Sequence, residues 1–162
     1  MIDAFIAAVQ ADGGQAVRVA DTAAARSHVA GLLGREATLC FWEGDALVMS
    51  LDPASLGRAT PPAEAFAGIT GAAFGVAPTG TLVLTYGAGC SRTTGLLPDL
   101  HIALLPAEHV LATLDEAVAQ VYAADVPRAM TLVTGASATS DIEKIRVTGA
   151  HGPRQVAVVI VG

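Results

Sequence analysis

The chain has 162 residues, with nine basic side chains against fifteen acidic ones and a formal net charge of −6. Only 15% of residues are charged while 52% are hydrophobic, which excludes a disordered chain. The acidic balance excludes a protein that grips nucleic acid by displacing phosphate counterions.

One domain is expected over residues 1–162, since a chain this long buries roughly 70% of its unfolded surface. The N-terminal run carries Ile2, Phe5, Ile6 and Val9 at helical spacing, which predicts a helix over 2–11. No basic residue precedes these apolar positions and Asp3 interrupts them, so a secretory leader is not expected. Residues 17–20 read as a short strand. Asp21 then stands as an N-cap before a helix that carries Val29, Leu32 and Leu33 on one face and ends at Gly34. An apolar strand is expected over 37–42 and a Pro-rich loop over 52–62. Two strands, over 69–76 and 81–86, flank the turn Pro78-Thr79-Gly80. Residues 85–95 read as a flexible polar loop, and 100–105 as a buried strand ended by Pro106. A long helix over 107–124 would place Val110, Leu111, Leu114, Val118, Val121 and Tyr122 on one face. Strands over 129–134 and 156–161 complete the pattern, with one helix turn expected to begin at Ser140.

Short apolar runs separated by amphipathic helices indicate an α/β fold with a mainly parallel central sheet, to which 69–86 adds an antiparallel hairpin. The mean hydropathy of +0.54 then reflects a buried sheet and a subunit contact, so a homo-oligomer is one expectation. No apolar run reaches the length of a bilayer span, and a cytoplasmic location is expected. The only cysteines, Cys40 and Cys90, form no Cys-x-x-Cys pair and are too few to hold an iron–sulfur cluster. Cys40 reads as a core residue and Cys90 as a loop thiol.

Four segments carry candidate chemistry. Thr134 to Glu143 places Gly135, Ser137, Thr139 and Ser140 after a strand, with Ser140 and Glu143 at capping-box spacing. A glycine and hydroxyls before a helix start suit an anion, although the same residues also make an ordinary capped turn. Gly87-Ala88-Gly89-Cys90-Ser91-Arg92 starts like a dinucleotide fingerprint, but Arg92 replaces the last glycine. This leaves either an incidental loop or one that presents Arg92 to an anion. Asp99 and His101 are two apart at a strand start, which suits either an acid–base pair or a half-buried, hydrogen-bonded histidine. His109 follows, but not at a metal-ligand spacing, and no metal is expected. Gly149-Ala150-His151-Gly152-Pro153 holds His151 in a tight turn, with functional and structural readings equally open.

Three stretches resemble a known family: PTGTLVL at 78–84, LLPDLHIALLP at 96–106, and TGASATSDIEKIRVTGAHGP at 134–153. Together they are similar to the LUD domain of the LutC/YkgG family, named for lactate utilisation, over about residues 66–161. Pro78 stands where relatives usually carry an acidic residue, and Gly-Val-His-Gly-Pro appears here as Gly-Ala-His-Gly-Pro. The resemblance implies a three-layer α/β/α fold like that of CoA transferases and ribose-5-phosphate isomerase (NagB/RpiA/CoA transferase-like). It implies oxidation of L-lactate to pyruvate beside two iron–sulfur partner proteins, LutA-like and LutB-like, which hold the clusters. This chain would then bind no cofactor alone and act as a non-catalytic or assembly-dependent subunit. The motif positions carried over are Gly80, Thr81, Asp99, His101, Gly135, Ser137, Asp141, Glu143, His151 and Gly152.

The other expectation is an independent enzyme or binder of an anionic small molecule such as a phosphosugar, CoA ester or folate. Loops 87–95 and 135–141 would converge at the carboxyl ends of the strands. Ser137, His151 and Arg92 would then surround one polar pocket. Gly80, Thr81, Arg92, Gly135, Ser137, Thr139 and Gly152 are its candidate anion contacts, and His151, Asp141, Glu143, Asp99 and His101 its candidate acids, bases and nucleophiles.

Overall fold

The computed structural model describes residues 1–34, 37–124, 126–139, 147–148 and 152–162. Helix α1 (Ile2–Ala11) buries Phe5 and Val9. Strand β1 (Gln15–Val19) leads into α2 (Thr22–Leu33), where the Asp21 carboxylate accepts a hydrogen bond from the Ala24 amide at 2.8 Å. Gly34 closes α2 with φ +71°. Strand β2 (Thr38–Phe41) follows, then the five-residue α3 (Ala46–Ser50), whose cap is Asp45.

The Pro-rich stretch contains a 3₁₀ turn at Pro53–Ser55 and the two-residue β3 (Arg58–Ala59). The single strand expected over 69–76 is two: β4 (Ala67–Gly71) and β5 (Phe74–Val76), in different sheets. Strand β6 (Thr81–Tyr86) pairs antiparallel with β5. The last residues of the expected polar loop form helix α4 (Arg92–Leu96), capped by Ser91. Strand β7 (Leu100–Pro106) runs through the core.

The helix expected from 107 starts only at α5 (Leu114–Ala124), after a 3₁₀ turn (Ala107–His109) and β8 (Val110–Leu111). A capping box fixes that start. The Thr113 hydroxyl accepts from the Glu116 amide at 3.1 Å, and the Glu116 carboxylate accepts from the Thr113 amide at 3.3 Å. Strand β9 (Ala129–Val133), the short antiparallel pair β10 (Ala138–Thr139) and β11 (Val147–Thr148), and β12 (Gln155–Val161) follow. The helix turn expected at Ser140 lies outside the described residues.

Six strands form one parallel sheet in the order β1-β12-β7-β4-β2-β3, and four form a second sheet, β8-β5-β6-β9. Strand β9 was expected beside the parallel strands. Instead it pairs antiparallel with β6, with Leu82 opposite Val133 and Tyr86 opposite Ala129. The strands of the parallel sheet are near-continuous apolar runs because both of its faces are covered. On one face, a Cβ on Gly95 of α4 would touch the His101 ring, while one on Gly75 of β5 would meet Leu105 and Phe5. His101 and Leu105 alternate onto the same side of β7, so α1, α4 and the second sheet share that face. A Cβ on Gly71 would point the other way, into Asp45 at the start of α3. Helix α2 packs on β12 and β1. Right-handed crossover from β1 to β2 places it on the α3 side. Helix α5 covers the outer face of the second sheet through Ala117 and Val121, against Val76 and Val83.

Candidate functional site

Adjacent parallel strands β2 and β4 send the chain to opposite faces of the sheet. After β2 it turns to α3; after β4 it crosses to the second sheet. The divergence opens a crevice at the strand ends, which is where open α/β sheets bind ligands. A cavity of about 340 Å³ occupies it, lined among others by Trp42, Asp45, Gly71, Thr85, Cys90 and His109. A second lobe of about 470 Å³ shares Thr85, Cys90 and His109 and continues over Phe74, Tyr86, Val121 and Pro127.

Local chemistry builds these walls. The Trp42 indole Nε1 donates to the Ser91 carbonyl at 2.8 Å, and its ring meets Tyr86 edge-on, with centroids 5.6 Å apart. The Arg92 guanidinium stands 6.0 Å from the centre of the Tyr86 ring. The Gly44 amide donates to the Gly89 carbonyl at 3.2 Å, and a Cβ at Gly44 would run into the Ala88 carbonyl. Gly89 itself has φ +71°. A Cβ at Gly89 would come within 2.6 Å of the Gly44 nitrogen, so this glycine serves close backbone approach, not a dinucleotide.

Asp45, Thr85 and His109 line the first cavity, and Thr85 and His109 also line the second. One Asp45 carboxylate oxygen accepts from the Val48 amide at 2.9 Å, while the other lies over Gly71, where only a glycine leaves room. Thr85 contributes a hydroxyl. His109 lies tilted against Phe74, with centroids 5.4 Å apart, and its buried Nδ1 has no hydrogen-bond partner. Burial, and secondarily the Asp45 charge, pushes the Cys90 thiol pKa up. Cys90 is therefore a neutral thiol and a poor nucleophile. Cys40, buried in the sheet, is raised further, to about 11, chiefly by desolvation.

The expected site residues are distributed differently. Thr81 lies between Thr79 and Thr134, with hydroxyl oxygens 2.8 and 2.7 Å apart. Gly80, at φ +64°, sits against the α1 backbone, where a Cβ would come within 2.6 Å of the Val9 nitrogen. Gly135, at φ +74°, closes on Asp12 after the same helix. The Ser137 amide donates to the Pro153 carbonyl at 3.0 Å, and Gly152 lies against the Ser137 side chain. The Asp99 carbonyl accepts from the Arg154 and Gln155 amides. Its carboxylate pairs with the Arg154 guanidinium at 3.5 Å on the exposed surface. Such a pair adds little stability.

These residues lie at the amino edge of the parallel sheet, beside the starts of β1, β7 and β12. Arg92 lies at the other end, on Tyr86, and the six residues of β6 from Thr81 to Tyr86 span about 17 Å. Loops 87–95 and 135–139 therefore do not converge, and Arg92 and Ser137 do not share a pocket. The cause is the direction of β9: being antiparallel to β6, it delivers Gly135 to the start of β6, at the amino edge.

His101 is 1% exposed, with Nε2 2.8 Å from the Thr70 hydroxyl, and burial pushes its pKa down to about 4. It is fully buried rather than half-buried, and it is not brought to the surface carboxylate of Asp99. Thr139 pairs with Val147 through the backbone. His151, Asp141 and Glu143 lie outside the described residues. Asp45 and Thr85 carried no motif. The signal for Asp45 was a Gly-Asp pair after a strand, an N-cap pattern. His109 was weighed only as a metal ligand. Among the described residues no group of three His, Cys, Asp or Glu stands in a metal-binding arrangement, and no helix is long and apolar enough to cross a membrane.

The family model for the LUD domain matches residues 62–161. Lactate utilization protein C of Deinococcus radiodurans is 43% identical over 97 residues, covering 58% of this chain and 45% of that protein. Lactate utilization protein C of Geobacillus thermodenitrificans is 32% identical over 127 residues, covering 74% of this chain and 53% of that protein. The chain thus spans about half the length of the curated relatives it matches. A crystal structure of a DUF162 family protein from Deinococcus radiodurans shares the fold, with a TM-score of 0.74 at 22% identity, covering 99% of this chain and 96% of that one.

Proposed function

The chain belongs to the LUD-domain family, and from that membership we propose that it serves lactate utilisation. The reading rests on the match over residues 62–161 and on relatives named Lactate utilization protein C. In this role it is a subunit of a system that oxidises L-lactate to pyruvate. Lactate gives up two electrons and two protons, and iron–sulfur partner proteins take the electrons. The two cysteines of this chain fit that division of labour, because a cluster is generally held by four thiolates. Cys40 lies in the core and Cys90 in the carboxyl-edge cleft. The chain itself binds no cluster and acts in the cytoplasm.

Deletion of the gene tests the proposal. Growth on L-lactate as sole carbon source is expected to fail while growth on pyruvate is kept, and the tagged protein is expected to co-purify with cysteine-rich proteins. Normal growth on lactate, in a strain without a second copy, would overturn it.

A further inference from the structure

The cleft at the carboxyl edge has a chemistry that the lactate reading does not use. Its polar lobe is lined by the Asp45 carboxylate, the Thr85 hydroxyl and the His109 ring. Its second lobe is walled by Phe74, Tyr86, Val121 and Pro127, with Gln120 beside them. The lobes join at Thr85, Cys90 and His109, so one ligand spans both.

We infer that this cleft binds a small molecule with an apolar, planar end and a hydrogen-bond-donating head that is cationic or neutral, with Asp45 as the residue that selects the head. The geometry supports each half. Aromatic and proline faces in the outer lobe suit a flat ring. In the inner lobe one Asp45 oxygen is committed to the Val48 amide and the other lies over Gly71 at the cavity wall. A carboxylate so placed attracts a donor and repels an anion, and the effect is strong where solvent is partly excluded. Its field also reaches Cys90, whose thiol it helps keep protonated. Arg92, on the Tyr86 ring that lines the outer lobe, is a rival attraction for an anion.

Three probes of one shape and different charge test this: benzylamine, benzyl alcohol and benzoate, titrated by NMR into the wild-type chain. Benzylamine is expected to bind saturably in the millimolar range, benzyl alcohol more weakly, and benzoate at least about tenfold more weakly than benzylamine. Asp45→Asn retains an N-cap oxygen and hence the fold, and is expected to bring the three affinities within about threefold of each other. Failure of all three probes to bind the folded protein would overturn the inference. So would benzoate binding as tightly as benzylamine, which would assign recognition to Arg92, or affinities unchanged in Asp45→Asn. None of these results depends on growth on lactate, so either proposal can fail alone.

Discussion

The two edges of the parallel sheet use glycines and hydroxyls to opposite ends. At the amino edge Gly80 and Gly135 let backbone segments touch, Gly152 makes room for the Ser137 side chain, and the threonine hydroxyls satisfy one another. His101, buried at the start of β7, bonds the Thr70 hydroxyl through Nε2, while its buried Nδ1 has no partner. At the carboxyl edge Gly44 and Gly71 also allow close approach, but the chain diverges around a cleft lined by Asp45 and Thr85. Close packing marks a joint, whereas a carboxylate lining an open cavity marks a place for something else to bind.

The largest test of the closed side is titration of His101. The unfolded imidazole takes its proton near the ordinary value of 6.5, while the buried one resists until about pH 4. The unfolded state therefore binds more protons in that window. Stability is full above pH 6.5 and falls as the pH drops to 4, by about 3 kcal/mol from this residue. Urea unfolding across pH 7.5 to 4 is expected to show a loss that His101→Gln reduces by that amount. Equal pH dependence in both proteins would contradict the buried, neutral histidine.

A smaller effect separates the edges directly. Gly80→Ala adds a Cβ at positive φ against the α1 backbone and is expected to cost about 2–3 kcal/mol. Gly87→Ala, in the carboxyl-edge loop, has nothing within 4 Å of its new Cβ and is expected to change stability by less than about 0.5 kcal/mol. Similar losses from the two would erase the distinction. The smallest effect concerns thiol reactivity. With a neutral thiol-specific reagent in the native protein, Cys90 is expected to react slowly and a few-fold faster in Asp45→Asn. Cys40 is expected to react only on unfolding. Fast native labelling of Cys40 would mean that the sheet core opens.

Local signals in the sequence were sufficient where they were complete. Asp21 and Gly34 delimit α2 as their side-chain and backbone chemistry requires, and the apolar runs at 100–105 and 156–161 are paired central strands. Two elements were misread because a weaker local pattern hid a stronger one. The apolar spacing from Val110 onward looked continuous, but the Thr113–Glu116 capping box starts the helix later. Residues 69–76 looked like one strand, although Gly71 to Phe74 carries the chain between sheets. The site was harder to read because its position depends on strand direction. Apolar content does not distinguish a parallel β9 from an antiparallel one, and that choice decides at which edge Gly135 and Ser137 arrive. Asp45, Thr85 and His109 come from three separate segments, and only the divergence of β2 and β4 brings them together.

The central claim, that the carboxyl-edge cleft is the ligand site, is tested most directly by mapping where benzylamine binds. Amide shifts of the labelled protein are expected to move at Gly44 to Leu47, Ala72 to Phe74, Cys90 and His109, and to stay fixed at Thr79 to Thr81 and Gly135 to Ser137. Shifts confined to Thr79–Thr81 and Gly135–Ser137 would contradict the account and move the site to the amino edge.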